Sequence, residues 1–414
     1  MRILYLTQWF DPEPGVIKGL RFVRAIEAAG HEVIVVTGFP NYPTGRLYPG
    51  YRLAPFLRET LEGVRVLRLP LFPSHDASSL RRSLNFLSFF VSALAYGLVR
   101  RERYAFAYVY HPPITVGLAA ALAGLVRGLP FVLEIQDLWP DTVAATGMVR
   151  APGLIGLLDR LCQFVYRRAS AIIVQSEGMR RALIARGVPA AKVTVIRNWA
   201  DVEPASDLAP AHAPAGDFTL VYGGNLGRAQ ALATVVEAAA LIQGQRQDIQ
   251  IDLYGDGLEA QALCAQAARL GVTVLRFHPR VGRDEIKAIF ARADALLLHL
   301  ADDPLFAITI PSKTQAYLAV GRPIVAGIAG EAAQLLQQSG AAVIAPPQDV
   351  PALAQAICAL ADLPREQREA MGRAGRRFYA ESLSFEAGMG QTLRLLENTF
   401  QDASGATFAA PARD

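Results

Sequence analysis

"RILYLTQWFDPEPGVIKGLRFVRAIEAAGHEVIVVTG", residues 2–38, contains one complete unit of a pattern that repeats along the chain. "RILYLT" is a short apolar run of strand type. "GLRFVRAIEAAG" follows, with Leu20, Val23 and Ile26 at helical spacing and Gly30 as a stop, and "HEVIVVTG" is the next strand. Strand, helix and strand in such quick succession build a parallel sheet with crossover helices. The strand theme returns in "AFAYVY", "PFVLEI", "AIIVQS" and "KVTVIRN", with helical stretches between. The apolar run of "MRILYLTQWF" ends at once in Asp11, Glu13 and two prolines, so it reads as a buried first strand and not as a secretory signal.

The texture changes at residues 201–217, "DVEPASDLAPAHAPAGD", which are rich in Ala, Pro and acids and carry no period. A second alternation then begins: "FTLVYGG", "IQIDLYGDG", "VTVLRFHP", "ALLLHL", "RPIVAGI" and "AAVIAPP". The expected architecture is α/β, with two doubly wound domains at residues 1–200 and 218–382 joined by a linker at 201–217. A helical stretch at 383–402 would cross back to the first domain, and 403–414 would be a loose tail. The length of 414 residues suits two domains of about 200. Ligands of such domains sit beyond the carboxyl ends of the strands, so the expected site is the cleft between the two.

Charge is unevenly spread. The net +4 divides into +11 over residues 1–200 and −7 over the remainder, so the first half is expected to meet something anionic. Nucleic acid is set aside because charge alone, without a recognition motif, points to it. Cys162, Cys264 and Cys358 lie far apart, form neither a disulfide framework nor a zinc spacing, and read as buried reduced thiols of a cytoplasmic protein. No metal is expected. The acids of "ADDP", Asp302 and Asp303, have no His or Cys at ligand spacing.

"SLRRSLNFLSFFVSALAYGLVRRERY" sets an apolar run, Leu84 to Val99, between two arginine pairs. The run is shorter than the ~20 residues of a spanning helix. Two readings stand: a core helix, or an interfacial helix over residues 80–103 that dips Phe86, Phe89 and Phe90 into a bilayer with arginines at the headgroups.

Of 41 basic residues only four are lysines: Lys18, Lys192, Lys287 and Lys313. Lys313 follows Ile310, Pro311 and Ser312 at an expected helix start, where Ser312 could cap. A helix start attracts anions and mildly disfavours cations, so Lys313 implies an anionic partner. The loop Gly223-Gly224-Asn225-Leu226-Gly227, between a strand and a helix, would let backbone N–H groups approach a phosphate. Strand-end loops of one sheet converge, so the two features together point to a diphosphate. In the first domain His111 ends a strand. "EIQDLWPD" offers Asp137 as an open carboxylate, Trp139 as a face for a sugar, and Glu134 as an internally paired acid. Pro12, Glu13, Pro14 and Gly15 form the loop after the first strand, at the cleft rim.

Taken in order, "GHEVIVVTGFPNYPTGRLYPGY", "EIQDLWPDT", "VIRNWAD", "YGGNLGRAQAL", "YGDG" and "IPSKTQAYLAVGRPIVAGIAGEAA" resemble a family 4 glycosyltransferase of GT-B fold, and more narrowly the WbuB-like enzymes of O-antigen and capsule assembly. The resemblance covers nearly the whole chain. It implies two Rossmann-like domains facing across a cleft and a retaining, metal-independent transfer from a nucleotide sugar, most often a UDP sugar. It also implies a polyprenyl-diphosphate-linked sugar as acceptor and a peripheral place on the cytoplasmic side of the inner membrane. His111 would lie near the transferred sugar, Lys313 and Gly224–Gly227 at the diphosphate, Gly255 of "YGDG" beside them, and Glu331 near the ribose or sugar. Where the broader family has Arg and Lys in the glycine loop, this chain has Asn225 and Gln230, with Arg228 nearby. Where it has two glutamates before "GRP", this chain has Ile308 and Ala316. The expected roles are donor binding for residues 223–228, Gln230, Gly255, 310–313 and Glu331, with His111 and Asp137 orienting the sugar. Two rival readings share these motifs: a UDP-sugar 2-epimerase, and a catalytically silent nucleotide-binding membrane scaffold.

Overall fold

The computed structural model describes residues 1–74, 79–111, 113–145, 151–200 and 217–407. It divides into two compact units, Met1–Arg197 with the chain from Gly388 onward, and Asn198–Ala387. The first carries an eight-stranded sheet: β1 (Arg2–Leu6), β2 (Glu32–Gly38), β3 (Leu57–Leu61), β4 (Val64–Leu69), β5 (Phe106–His111), β6 (Phe131–Ile135), β7 (Ala171–Val174) and β8 (Val193–Val195), in the order β3-β4-β2-β1-β5-β6-β7-β8. The second carries β9 (Phe218–Gly223), β10 (Ile249–Tyr254), β11 (Leu275–His278), β12 (Ala295–His299), β13 (Ile324–Gly327) and β14 (Ala342–Ala345), in the order β11-β10-β9-β12-β13-β14.

Pairing is parallel throughout except at the hairpin β3–β4. Parallel strands covered on both faces read as unbroken apolar runs. Ile3, Leu4, Tyr5 and Leu6 of β1, and Leu296, Leu297 and Leu298 of β12, are accordingly all buried. Each such side chain contributes about 1.5–3 kcal/mol over its exposed state. In both sheets the first strand of the unit lies between its second and a later one. That reversal is the switch point beyond which doubly wound sheets bind ligands. It falls between β1 and β5 in the first unit and between β9 and β12 in the second.

Several expectations need correction. The helix Ser79–Val99 has a 20-residue window, Leu80–Val99, long and apolar enough to cross a membrane by length and composition. Phe86 and Phe89 turn inward, however. Phe89 is fully buried, and Phe86 makes ring contacts to Trp9 at 6.2 Å and Trp139 at 6.3 Å. Asn85, also buried, donates to the Phe72 carbonyl and accepts from Gln8 Nε2. The outward stripe is instead Leu80, Leu84, Leu87 and Val91, spaced three and four residues apart. At the carboxyl end, the helix Phe385–Thr407 continues past residue 402 into the expected tail; 408–414 lie outside the described residues, as do 201–216 of the linker. Cys162 is buried as expected, but Cys264 is exposed and Cys358 half-buried.

Candidate functional site

β9 ends in Gly223, and the chain turns there because no side chain fits. A Cβ on Gly223 would stand 2.5 Å from the Phe290 ring, and one on Gly224 (φ +145°) would stand 2.6 Å from Lys313 Cε. The loop rests on the end of β10: Gly224 N–H donates to the Tyr254 carbonyl at 2.8 Å and Leu226 N–H to the Asp256 carbonyl at 2.9 Å. Leu226 is buried beneath it. Gln230 closes the far side, its Oε1 accepting from Gly227 N–H at 3.2 Å. Gly255 has φ +156°, and a Cβ there would fall 1.8 Å from the Gly224 carbonyl oxygen. Gly255→Ala is therefore expected to cost about 2–4 kcal/mol, combining a backbone conformation open only to glycine with overpacking. Denaturant unfolding checks this against Gly271→Ala, a site with φ +62° and open space around it, which should lose about 1 kcal/mol.

Lys313 comes from the helix Ser312–Val320, which follows β12, the neighbour of β9. Pro311 is the N-cap, so Ser312 sits inside the first turn and its hydroxyl makes no cap, contrary to the expectation from sequence. Half-buried Lys313 turns its ammonium back over the glycine loop. Nζ lies 3.9 Å from the centre of the Tyr222 ring and donates to the Tyr222 hydroxyl at 2.5 Å. That hydroxyl donates on to the Asn225 carbonyl at 2.6 Å. Burial alone pushes the ammonium down to about 7. Among the described residues no carboxylate forms an ion pair with it.

Lys18, the other lysine drawn into the protein, shows what a satisfied buried ammonium looks like. Its Nζ is 2.9 Å from Glu134 Oε2, with both side chains fully buried. Glu134 also accepts from the Tyr108 hydroxyl, from Gln136 Nε2 at 2.7 Å and from Gln175 Nε2 at 3.2 Å. The internal pairing of Glu134 agrees with the sequence expectation. Gln136 immediately precedes Asp137, so the buried cluster anchors the loop that carries it. Asp137 is exposed yet recessed among protein atoms, and that partial desolvation raises its carboxyl to about 6. His111 ends β5, opposite Ile135 of β6; its side chain lies outside the described residues.

Two residues assigned to the acceptor side turn inward. Glu13 is buried, its Oε1 accepting from Asn41 N–H at 2.7 Å and Tyr42 N–H at 2.8 Å, its Oε2 from Phe10 N–H at 3.1 Å. Desolvation raises it to about 7 against the pull of those amides. It fastens the 39–42 turn, leaving Pro14 and Gly15 as the exposed part of the loop. Trp139 is likewise buried, so its ring offers no open face for a sugar. Glu331 is buried in the first turn of the helix Gly330–Ser339, which follows β13. Arg228 is the exposed cation of the group, 3.4 Å from Glu259. Tyr222, which holds Lys313, went unread in the sequence. Its signal is its position, one residue before the glycine pair.

Two family models match this chain: a glycosyl transferase 4-like domain over residues 20–199 and glycosyl transferases group 1 over residues 217–362. This chain belongs to the family 4 glycosyltransferases of GT-B fold. The glycosyltransferase is 28% identical over 404 residues to WcaI of Escherichia coli K12, named for colanic acid biosynthesis, covering 92% of this chain and 98% of that one. It is 24% identical to the glycosyltransferase WbjE of Pseudomonas aeruginosa over 246 residues, 57% of this chain and 61% of that one. Its fold is shared by HepE of Anabaena solved with UDP-glucose, with TM-score 0.67 at 17% identity, over 96% of this chain and all of that one.

Proposed function

We propose that this glycosyltransferase moves a sugar from a UDP sugar to a polyprenyl-diphosphate-linked or polysaccharide acceptor in cell-surface polysaccharide assembly, with retention at the anomeric carbon and no metal. The observation that carries the reading is the half-buried Lys313, whose ammonium pairs with no carboxylate among the described residues, laid against Gly224 beyond the switch point of the second sheet. A diphosphate supplies the charge that Lys18 obtains from Glu134. The colanic acid biosynthesis named for WcaI supports a polysaccharide pathway, and the UDP-glucose held by HepE supports the donor.

In this mechanism the glycine-loop amides, Arg228 and Lys313 hold the diphosphate, and the helix starts at Ser312 and Gly330 add their dipoles. As the glycosidic bond breaks, the leaving diphosphate gains negative charge, and fixed donors aimed at it lower the barrier. The acceptor hydroxyl attacks from the face the diphosphate leaves. Asp137 and His111 orient the sugar and its developing cation, and Glu331 lies toward the ribose or sugar. The test is incubation with UDP sugars and a polyprenyl-diphosphate-linked sugar, with and without chelator. The expected result is a product with the donor's anomeric configuration and equimolar UDP in both conditions. Isomerised sugar without acceptor would mean an epimerase; UDP binding with no turnover would mean a silent scaffold.

The lipid-linked acceptor gives the outward stripe of the helix Ser79–Val99 a partner, an anionic bilayer met by Leu84, Leu87 and Val91 with Arg81 at the headgroups, the protein staying peripheral on the cytoplasmic face. Leu87→Ser with Val91→Ser is expected to weaken binding to anionic vesicles at least tenfold, since two apolar side chains are worth roughly 1.5–3 kcal/mol each when fully buried. Unchanged sedimentation with vesicles would place the lipid contact elsewhere.

A further inference from the structure

We propose that Tyr222 is the positioning residue of the donor site: its hydroxyl holds the Lys313 ammonium over the glycine loop while the site is empty, and gives it up to the incoming diphosphate with uptake of a proton. The inference rests on the donor reading above and adds to it a mechanism of charge control.

The geometry is a chain of three groups. The Lys313 ammonium donates to the Tyr222 hydroxyl, and the hydroxyl donates to the Asn225 carbonyl. Tyr222 is itself fully buried, while Lys313 is half-buried and Asn225 exposed, so the tyrosine is the fixed member of the chain. Its orientation is fixed from both ends, by the strand β9 that carries it and by the loop it reaches. The ring adds a cation–π face to the same ammonium. Tyr317, on the lysine's own helix, is the titratable neighbour that acts on Tyr222, and its hydroxyl is occupied by Gly223 N–H at 3.3 Å. Among the described residues neither a carboxylate, a histidine nor a second cation shifts Lys313; burial is what lowers it.

A neutral acceptor stabilises an ammonium far less than a carboxylate does. With burial holding Lys313 near 7, the empty site at neutral pH is a mixture of ammonium and amine. A diphosphate favours the ammonium, so binding draws a proton from solvent. The sign follows from linkage: the free-state pKa is low and the bound-state pKa is raised. Affinity is then full below about 7 and falls as pH rises through that value, approaching tenfold per pH unit until the bound-state pKa is reached.

The test is titration calorimetry of UDP between pH 7 and 9, above the last ionisation of the phosphate near 6. Each pH is measured in buffers of different ionisation enthalpy, which counts protons taken up. The native protein should take up about half a proton per UDP at pH 7 and about one at pH 8. Tyr222→Phe keeps the ring and removes only the acceptor, so it should disfavour the ammonium in the free protein and raise proton uptake at pH 7 above the native value. A merely structural defect would weaken UDP equally at every pH and leave the proton count alone. Lys313→Met should abolish the uptake, which assigns the proton to that ammonium. An unchanged proton count in Tyr222→Phe, or no uptake by the native protein, overturns the proposal. Absence of UDP binding at every pH overturns the donor reading beneath it.

Discussion

Lys313→Ala should lower turnover by two to three orders of magnitude and weaken UDP at least tenfold. The basis is how differently the four lysines are held. Lys287 is 3.7 Å from Asp284 at a helix surface, and Lys192 donates to the Arg167 and Ala169 carbonyls. Lys18 is fully buried against Glu134. Lys313 is drawn over the glycine loop, where among the described residues a tyrosine hydroxyl and ring hold its ammonium. Desolvating a cation without a counter-charge is unfavourable, and a fold keeps such a group where a ligand completes it. One preorganised donor aimed at developing charge accounts for roughly 10²–10³ in rate, more than its share of ground-state binding. The turnover defect should therefore exceed the binding defect. Lys313→Arg should not rescue fully, because the ammonium already fills the space that Gly224 leaves by having no side chain, where a Cβ would stand 2.7 Å from Nζ, and a guanidinium is larger. A donor titration of initial rates with each variant checks both statements.

The second large effect is on stability. Lys18→Met should cost about 3–5 kcal/mol, because it strands the Glu134 carboxylate in the interior with only neutral donors. The double change Lys18→Met with Glu134→Gln should recover more than half of the loss. Glutamine keeps its amide oxygen as acceptor for Gln136 and Gln175, turns its NH2 toward the Tyr108 hydroxyl, which can accept, and removes the unpaired charge. If the double variant is as unstable as the single one, the loss comes from packing of the lysine stem and not from the charge. Because Gln136 leads into Asp137, the single variant should also lose turnover in proportion to its disordered loop. Urea unfolding with tryptophan fluorescence gives the first quantity, and initial rates at fixed folded fraction give the second.

The strands were legible because strands buried on both faces leave runs such as "VLEI" and "ALLLH" that no other environment explains. The hairpin β3–β4 was not read, since "LRETL" alternates with charge at a sheet edge. Its turn has two residues, Glu62 and Gly63, both with positive φ, as a two-residue hairpin turn requires. The glycine loop and Lys313 could be read because backbone approach and a cation at a helix start are local demands. The orientation of Glu13 could not, because its three amide donors include Asn41 and Tyr42, far along the chain. Trp139 and Phe86 were misread for the same reason. An aromatic in a loop or an apolar helix presents either face until its partners are known, and here those partners are each other. Tyr222 escaped notice because a tyrosine at the end of a buried strand fits the core as well as a site.

The most direct test is calorimetric titration of UDP, with GDP alongside, into the native protein and Lys313→Ala. A UDP affinity that the substitution weakens tenfold or more, about 1.4 kcal/mol, is the result this account predicts. Equal UDP affinity in the two proteins, or no binding of either nucleotide by the native one, would contradict it.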